Sequence, residues 1–191
     1  MNRTKGIEFF INTMKNDPNI QWDKIVERLD NLDFFTAPAS IGHHGNYDGG
    51  LFEHSFEVTM QLLTLTEKLD LQWDDPRSPY IVGMFHDICK CDNYKKVKKP
   101  YIYAEDGPIE YEEKWEYNNE CSMPGHGEKS VILTLNILGP LTDEEIMCIR
   151  WHMGAFDDKE NWTYYSRAVR DYPNVLFTHT ADMMASQIMG I

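Results

Sequence analysis

The 191-residue sequence predicts a mainly helical single domain that carries one small β-hairpin. Apolar residues recur at helical spacing through most of the chain, one segment alternates about a turn signal, and no linker divides the chain. A chain of this length can bury about 70% of its unfolded surface around one core. We therefore treat residues 1–191 as one domain with a hairpin inserted at about 100–118.

The first part of the chain predicts two helices and a loop. Apolar spacing predicts a helix from Thr4 to about Lys15, which the turn-forming residues 16–18 end. A second helix is predicted over residues 23–32. The apolar residues of the next segment, residues 34–50 (FFTAPASIGHHGNYDGG), recur at neither helical nor strand spacing. The aromatic residues and paired histidines of this segment are typical of an ordered loop that carries function.

Two predicted helices then carry histidines. An apolar stripe predicts a helix over residues 51–69 with His54 in its first turns. The next helix begins near Ser78, because serine can cap a helix and a proline follows it at the first helical position. We expect this helix to run through the segment HDICK, with His86 and Asp87 near its end.

The second half of the chain adds the hairpin and three helices. Aromatic and aliphatic residues alternate around the turn signal at residues 106–108, which predicts the β-hairpin. A helix is predicted over about 127–138, and another opens with a capping box at Thr142 and closes at Gly154. The last helix, about 174–189, contains His179 and Asp182.

The charge balance narrows the classes of function. The chain has 31 Asp and Glu against 18 Lys and Arg, a net charge of -13, which disfavours long nucleic acids and anionic membranes as partners. No apolar run approaches the roughly 18 residues that span a bilayer, and no signal peptide is evident, so we expect a cytoplasmic protein. The cysteines lack paired zinc-ribbon spacing and are expected to be reduced thiols: Cys89, Cys91, Cys121 and Cys148.

A set of histidines and aspartates from five separate segments carries the candidate chemistry. Imidazole and carboxylate groups suit Mn, Fe, Ni, Zn and similar divalent ions, and a helical bundle can bring such residues together in its core. Taken singly, each histidine can equally be a hydrogen-bonded core or capping residue. The candidate metal ligands are His54, His86, Asp87, His126, His152 and Asp182.

The motifs HHGNYDGGLFEHSFEV, HDICK, GHGEKS, RWHMG and HTADMMAS resemble the HD superfamily of metal-dependent phosphohydrolases. They are most similar to the branch that includes the catalytic domain of bacterial 3'-to-5' exoribonucleases and small stand-alone HD proteins of bacteria and phages. The usual motif reads HDIGK, and we expect Cys89, which replaces the glycine, not to touch a ligand.

The resemblance implies a ligand set and a mechanism. It implies that His54, His86, Asp87 and Asp182 bind one divalent ion (Mn, Fe, Ni, Zn or Mg), and that Asp87 bridges to a second. His126 and His152 match the extra histidines of binuclear members, so one or two ions are expected. The implied reaction is hydrolysis by a metal-activated water.

Two further residues are candidates for substrate contact. Lys90 is placed to approach a phosphate, although it can also be an exposed lysine that interacts with the helix dipole. His44 can reach the site from its loop as a phosphate contact or proton donor. The roles of His43, His179 and Arg150 and of the lysine run 95–99 stay open between pocket and structural positions.

Three functions are consistent with these residues. The leading hypothesis is a phosphohydrolase that hydrolyses a phosphomonoester or a phosphodiester in a nucleotide or another small phosphorylated substrate. The first alternative is an HD-fold di-iron oxygenase, because the same ligand order occurs in both reaction classes. The second is a non-catalytic module that binds a nucleotide or a partner protein. The sequence does not determine the oligomeric state.

Overall fold

The structure, a computed structural model, describes residues 3–14, 21–101, 110–122 and 125–191. It is mainly helical with one two-stranded antiparallel sheet, which confirms the predicted fold class. The turn signals at residues 16–18 and 106–108 lie outside the described residues. Within the described part of the chain, no helix is long and apolar enough to cross a membrane, and the four cysteines are free thiols, as predicted.

The helices of the first half are α1 (Arg3–Met14), α2 (Trp22–Asn31), α3 (Gly50–Leu69), α4 (Ser78–Phe85) and the short α5 (Lys90–Asn93). One boundary differs from the prediction. The helix that begins at Ser78 ends at Phe85, so His86 and Asp87 follow it in a turn. The main chain tightens there, because Ile88 and Lys90 donate N–H groups to the carbonyls three residues earlier.

The second half contains α6 (Gly127–Leu138), α7 (Asp143–Trp151), α8 (Trp162–Asp171) and α9 (Asn174–Met183). The predicted capping box is present: Thr142 and Glu145 bond each other's main-chain N–H groups. The α7 helix ends at Trp151, before the predicted Gly154, and the last predicted helix is α9 followed by a π-helical segment, Met184–Met189. The α8 helix is not among the predicted helices.

Two hydrophobic clusters lie on either side of α3. Leu51 and Phe52 pack with α2, α4 and the loop that contains Phe34. Val58 and Leu62 pack with α7 and α9. Because α3 and α4 contribute to both clusters, the polar residues between them are held by rigid elements.

Two glycines allow helices to approach closely beside these polar residues. A Cβ atom on Gly83 would lie 2.6 Å from Cα of Thr59, so α4 packs directly on α3. A Cβ atom on Gly127 would meet the carbonyl oxygen of Arg150, so the start of α6 lies against the end of α7. A side chain at either position would push the helices apart.

The hairpin joins β1 (Tyr94–Tyr101) to β2 (Glu110–Tyr117) and starts earlier than the predicted residue 100. The lysine run 95–99 therefore lies on β1, where Lys95, Lys98 and Lys99 oppose glutamates of β2. Lys96 instead reaches Asp48, 2.6 Å away, which also accepts a hydrogen bond from Trp115. These pairings give the lysines of the run structural positions, and none of them lines the cavity described below.

Candidate metal centre

The structure brings together all six histidines and aspartates that the sequence singled out. Their donor atoms fall into overlapping groups within which the atoms lie no more than 4.8 Å apart. Such groups of imidazole and carboxylate donors could hold divalent metal ions. The groups are His54, His86 and Asp87; His86, His152 and Asp182; and Asp87, His126 and His152.

The first donor set joins α3, the turn after α4, and α9. Nε2 of His54 lies 3.2 Å from Oδ1 of Asp182 and 3.3 Å from Nε2 of His86. Oδ2 of Asp87 lies 3.5 Å from Nε2 of both histidines. Two imidazoles and two carboxylates therefore face one point.

The second donor set joins the same turn to the facing ends of α6 and α7. Nε2 of His126 lies 3.1 Å from Nε2 of His152. Oδ1 of Asp87 lies 2.8 Å from Nε2 of His126 and 3.4 Å from Nε2 of His152. Asp87 thus presents one oxygen to each donor set.

Main-chain oxygens orient three of the four imidazoles. Nδ1 of His54 is 2.8 Å from the main-chain oxygen of Ile191, Nδ1 of His86 is 2.8 Å from the carbonyl of Gly83, and Nδ1 of His152 is 2.7 Å from that of Ile149. An oxygen of this kind only accepts hydrogen bonds, so each Nδ1 must carry the hydrogen. In the neutral imidazole, Nε2 is then the atom left free for a metal ion.

Burial makes the negative charge of the Asp87 carboxylate, which both donor sets share, energetically unfavourable unless a cation lies beside it. Asp87 is 2% exposed, and among the described residues its Oδ1 has no hydrogen-bond partner in good alignment. Burial alone would raise the pKa of Asp87, but Lys90 and His86 outweigh it and hold the pKa well below its ordinary value. The carboxylate is therefore ionised and suited to a bound cation.

The two histidines of the second set differ in pKa. Burial lowers the pKa of His152. Burial also opposes protonation of His126, but Cys89 and Asp87 raise the pKa of His126 to about 10. Because a metal ligand must give up its proton at the ligating nitrogen, cation binding at this set would release a proton from His126.

The donor sets open onto a cavity of about 800 Å³. Lys90 and His44, the two predicted substrate contacts, both line it. Lys90 begins α5 and is not an exposed helix-end lysine: its side chain is 12% exposed and Nζ lies 2.5 Å from Oδ2 of Asp87. The other lining residues are Ala39, Ser40, His43, Asp87, Tyr94, His126, Met153, Phe156, Asp182, Met183, Ser186, Gln187 and Gly190.

His44 has an unusual position in the cavity wall. Its ring centroid lies 5.0 Å from that of His54, and Nε2 is buried without a hydrogen-bond partner within the part of the chain that the structure describes. Burial, with the nearby His54 and Lys90, lowers the pKa of His44 to about 4. The imidazole is therefore neutral at neutral pH, which favours a hydrogen-bonding role over that of an imidazolium proton donor.

The structure places the three single residues whose roles the sequence left open. Arg150 pairs with Asp157 at 2.7 Å and with Glu128 at 2.5 Å, so it binds carboxylates of this chain. His179 lies behind the second donor set, with Nδ1 2.7 Å from the carbonyl of His152. His43 lines the cavity.

Several residues that contribute to the site were not predicted, and the expectation for one was wrong. Sγ of Cys89 lies 3.5 Å from Nδ1 of His126, so the expectation that this cysteine does not touch a candidate ligand was wrong. The contact of Ile191 with His54 and the cavity position of Phe156 gave no local signal, because each depends on segments far apart in sequence.

Comparison with known proteins gives one informative similarity. The chain is 34% identical over 113 residues to the dihydroneopterin 2',3'-cyclic phosphate phosphodiesterase of Methanocaldococcus jannaschii. The match covers 57% of this chain and 39% of that protein, so it spans well under half of the relative's length. No protein-family model matches the chain, and no solved structure matches it.

Proposed function

We propose that this chain is a divalent-metal-dependent phosphohydrolase of the HD superfamily that cleaves a small phosphodiester, such as a cyclic phosphate. The observation that carries the proposal is the placement of Asp87, whose two oxygens face two separate histidine sets at the bottom of a cavity. The similarity to a cyclic phosphate phosphodiesterase supports hydrolysis of a phosphate ester.

The donor sets would hold two ions. His54, His86, Asp182 and Oδ2 of Asp87 suit the first, and His126, His152 and Oδ1 of Asp87 suit the second. Four imidazoles beside two carboxylates favour Mn, Fe, Ni or Zn over Mg, which prefers oxygen ligands. Bound there, such ions supply an activated water and offset the charge that develops on the phosphoryl oxygens.

Lys90 and His44 would contact the phosphate. The ammonium of Lys90 lies 2.5 Å from Oδ2 of Asp87 and lines the cavity, so it would pair there with a phosphate oxygen of the substrate. His44 in the tautomer protonated at Nε2 donates a hydrogen bond to the same group, because it is neutral at neutral pH. Together they orient the ester for attack.

The cavity favours a small substrate with an organic ring. Tyr94, Met153, Phe156 and Met183 give part of its lining an apolar and aromatic character against which a flat ring can pack. The net charge of -13 disfavours a long nucleic acid. A nucleoside or pterin cyclic phosphate fits both features.

Two other functions use the same donor atoms. A di-iron oxygenase would require a similar ligand set, and a binding module would retain metal without turnover. The Lys90 ammonium in the cavity and the similarity to a phosphodiesterase favour phosphate ester hydrolysis over both.

The test is turnover by the protein loaded in turn with Mn²⁺, Ni²⁺, Zn²⁺ and Fe²⁺. Substrates are 2',3'-cyclic nucleotides, dihydroneopterin 2',3'-cyclic phosphate and bis(p-nitrophenyl) phosphate, with inorganic phosphate and nucleoside monophosphates as the negative set. We expect metal-dependent cleavage that Asp87→Asn reduces by several orders of magnitude and that Asp70→Asn, at an exposed aspartate, leaves unchanged.

Wild-type rates in Asp87→Asn would exclude the proposed chemistry. Failure to cleave any phosphodiester with any of the metals, together with oxygen uptake by the iron-loaded protein, would establish the oxygenase instead. Tight binding of a cyclic nucleotide without cleavage would establish the binding module.

A further inference from the structure

We propose that Cys89 is a positioning residue for His126 and sets the affinity of the second metal ion. This inference rests on the proposed function, since it assigns Cys89 a role behind the set formed by Asp87, His126 and His152. It departs from the sequence-based expectation that this cysteine is a neutral replacement for glycine.

The four imidazoles differ in the atoms that lie against their Nδ1 nitrogens. Those of His54, His86 and His152 are main-chain oxygens at 2.7 to 2.8 Å. The partner of His126 is a side-chain atom, Sγ of Cys89, at 3.5 Å. His126 is thus the one candidate ligand among the described residues whose ring orientation depends on a replaceable side chain.

The direction of this hydrogen bond follows from ligation. For Nε2 of a neutral His126 to offer its lone pair to a cation, Nδ1 must carry the hydrogen. Nδ1 then donates to the sulfur, and the bond fixes both the tautomer and the plane of the ring. Loss of such a partner behind a ligand commonly weakens metal binding by about 10- to 100-fold.

Cys89 is itself held in place. It is fully buried, and its main-chain N–H lies 3.3 Å from Oγ of Ser130. The N–H of Ser130 in turn donates to the carbonyl of His126 at 2.9 Å. The three residues form a closed ring of hydrogen bonds that ties the sulfur to the same helix end that carries the imidazole.

The sulfur of Cys89 orients the candidate ligand His126 and is not itself a candidate metal ligand. Sγ of Cys89 belongs to none of the groups of donor atoms within 4.8 Å that the described residues form. The first donor set has its own main-chain partners and does not use Cys89. The effect of replacing Cys89 is therefore expected at the second ion alone.

The test is Mn²⁺ binding to the apo protein, followed by competition with a chromophoric chelator and by EPR, which separates a lone Mn²⁺ from a coupled pair. Cys89→Ala removes the acceptor and Cys89→Ser keeps one. Cys91→Ala is the matched control, because Cys91 is also a buried thiol two residues away but packs in the hydrophobic core.

We expect Cys89→Ala to weaken the second Mn²⁺ by about 10- to 100-fold, with the first unchanged and the coupled EPR signal lost at low metal. Cys89→Ser should recover most of that loss, and Cys91→Ala should bind both ions normally. Wild-type affinity for the second ion in Cys89→Ala, or an equal loss in Cys91→Ala, would overturn the role of Cys89. A wild-type protein that binds fewer than two ions would refute the two-ion proposal itself, and this role with it.

Discussion

Gly83→Ala tests whether the close packing of α3 on α4 positions the first donor set. Gly83 lies on α4, one turn before His86, and faces Thr59 of α3. An added Cβ would lie 2.6 Å from Cα and 2.9 Å from the main-chain N of Thr59. Main-chain atoms cannot swing aside as a side-chain end can, so the helices themselves must move.

The size of the effect follows from two opposing terms. Optimal carbon contacts lie at about 3.5–4.0 Å, so α3 and α4 must separate by roughly 1 Å. Alanine is favoured over glycine within a helix by about 1 kcal/mol, whereas the side-chain and backbone shifts that overpacking forces cost about 1–3 kcal/mol. The upper part of that range, about 2–3 kcal/mol, applies here because the added Cβ meets main-chain atoms. We therefore expect a net loss of about 1–2 kcal/mol in the free energy of unfolding.

The separation of α3 and α4 would also weaken metal binding at the first donor set. Ligand distances are held to about 0.2 Å, and a shift of roughly 1 Å between His54 and His86 exceeds that tolerance. The affinity for the first ion should therefore fall by more than that for the second, because His126 and His152 lie at the ends of other helices and only the shared Asp87 follows α4.

The assays are urea unfolding in the presence of a chelator, and metal titration of the folded protein. Gly42→Ala is the control, because nothing lies within 4 Å of the Cβ it would add, and it should change stability by less than about 0.5 kcal/mol. A stability gain in Gly83→Ala, with unchanged metal affinity, would show that helix propensity outweighs packing and refute the reasoning.

Two other substitutions give further tests. His44→Ala should lower kcat/KM for a cyclic phosphate by about 10- to 100-fold, because it removes a hydrogen bond to a charged group. The free energy of unfolding should stay unchanged. An unaltered kcat/KM would show that His44 does not contact the substrate. Asp92 forms an ion pair with Lys129, whose Nζ lies 2.8 Å from Oδ2 of Asp92, and Ser122 donates two hydrogen bonds to the same oxygen. Burial opposes ionisation of Asp92, but these partners outweigh it and lower the pKa of Asp92. This carboxylate therefore stabilises the fold above about pH 4 and loses that effect as pH falls through its folded pKa. Asp92→Asn should therefore be less stable than wild type at pH 7, and urea unfolding in chelator should show the deficit shrinking towards pH 3.5; a deficit independent of pH would contradict the ion pair.

The helices could be predicted where the signals are local. The capping box at Thr142 and the apolar stripe of α3 lie within one segment, so both were placed within a few residues. The α8 helix also has a regular pattern, in which Tyr165, Ala168 and Val169 face the second hydrophobic cluster, and it could have been found from that spacing.

Other features depend on tertiary contacts. The turn at His86 and Asp87 follows from packing against other helices and not from their helix propensities. The lysine run 95–99 becomes a strand because glutamates of β2 lie opposite it. For the site, the ligand identities came from the resemblance, whereas the link from Cys89 to His126 joins residues 37 positions apart and cannot be read from spacing.

The central claim is that the two oxygens of Asp87 hold two ions against two separate histidine sets. Elemental analysis of metal-loaded protein tests it most directly, with Asp87→Ala and His152→Ala measured beside the wild type. We predict two ions per chain in the wild type, one in His152→Ala, and fewer than one in Asp87→Ala. Two ions retained in Asp87→Ala, or fewer than two in the wild type, would contradict the account.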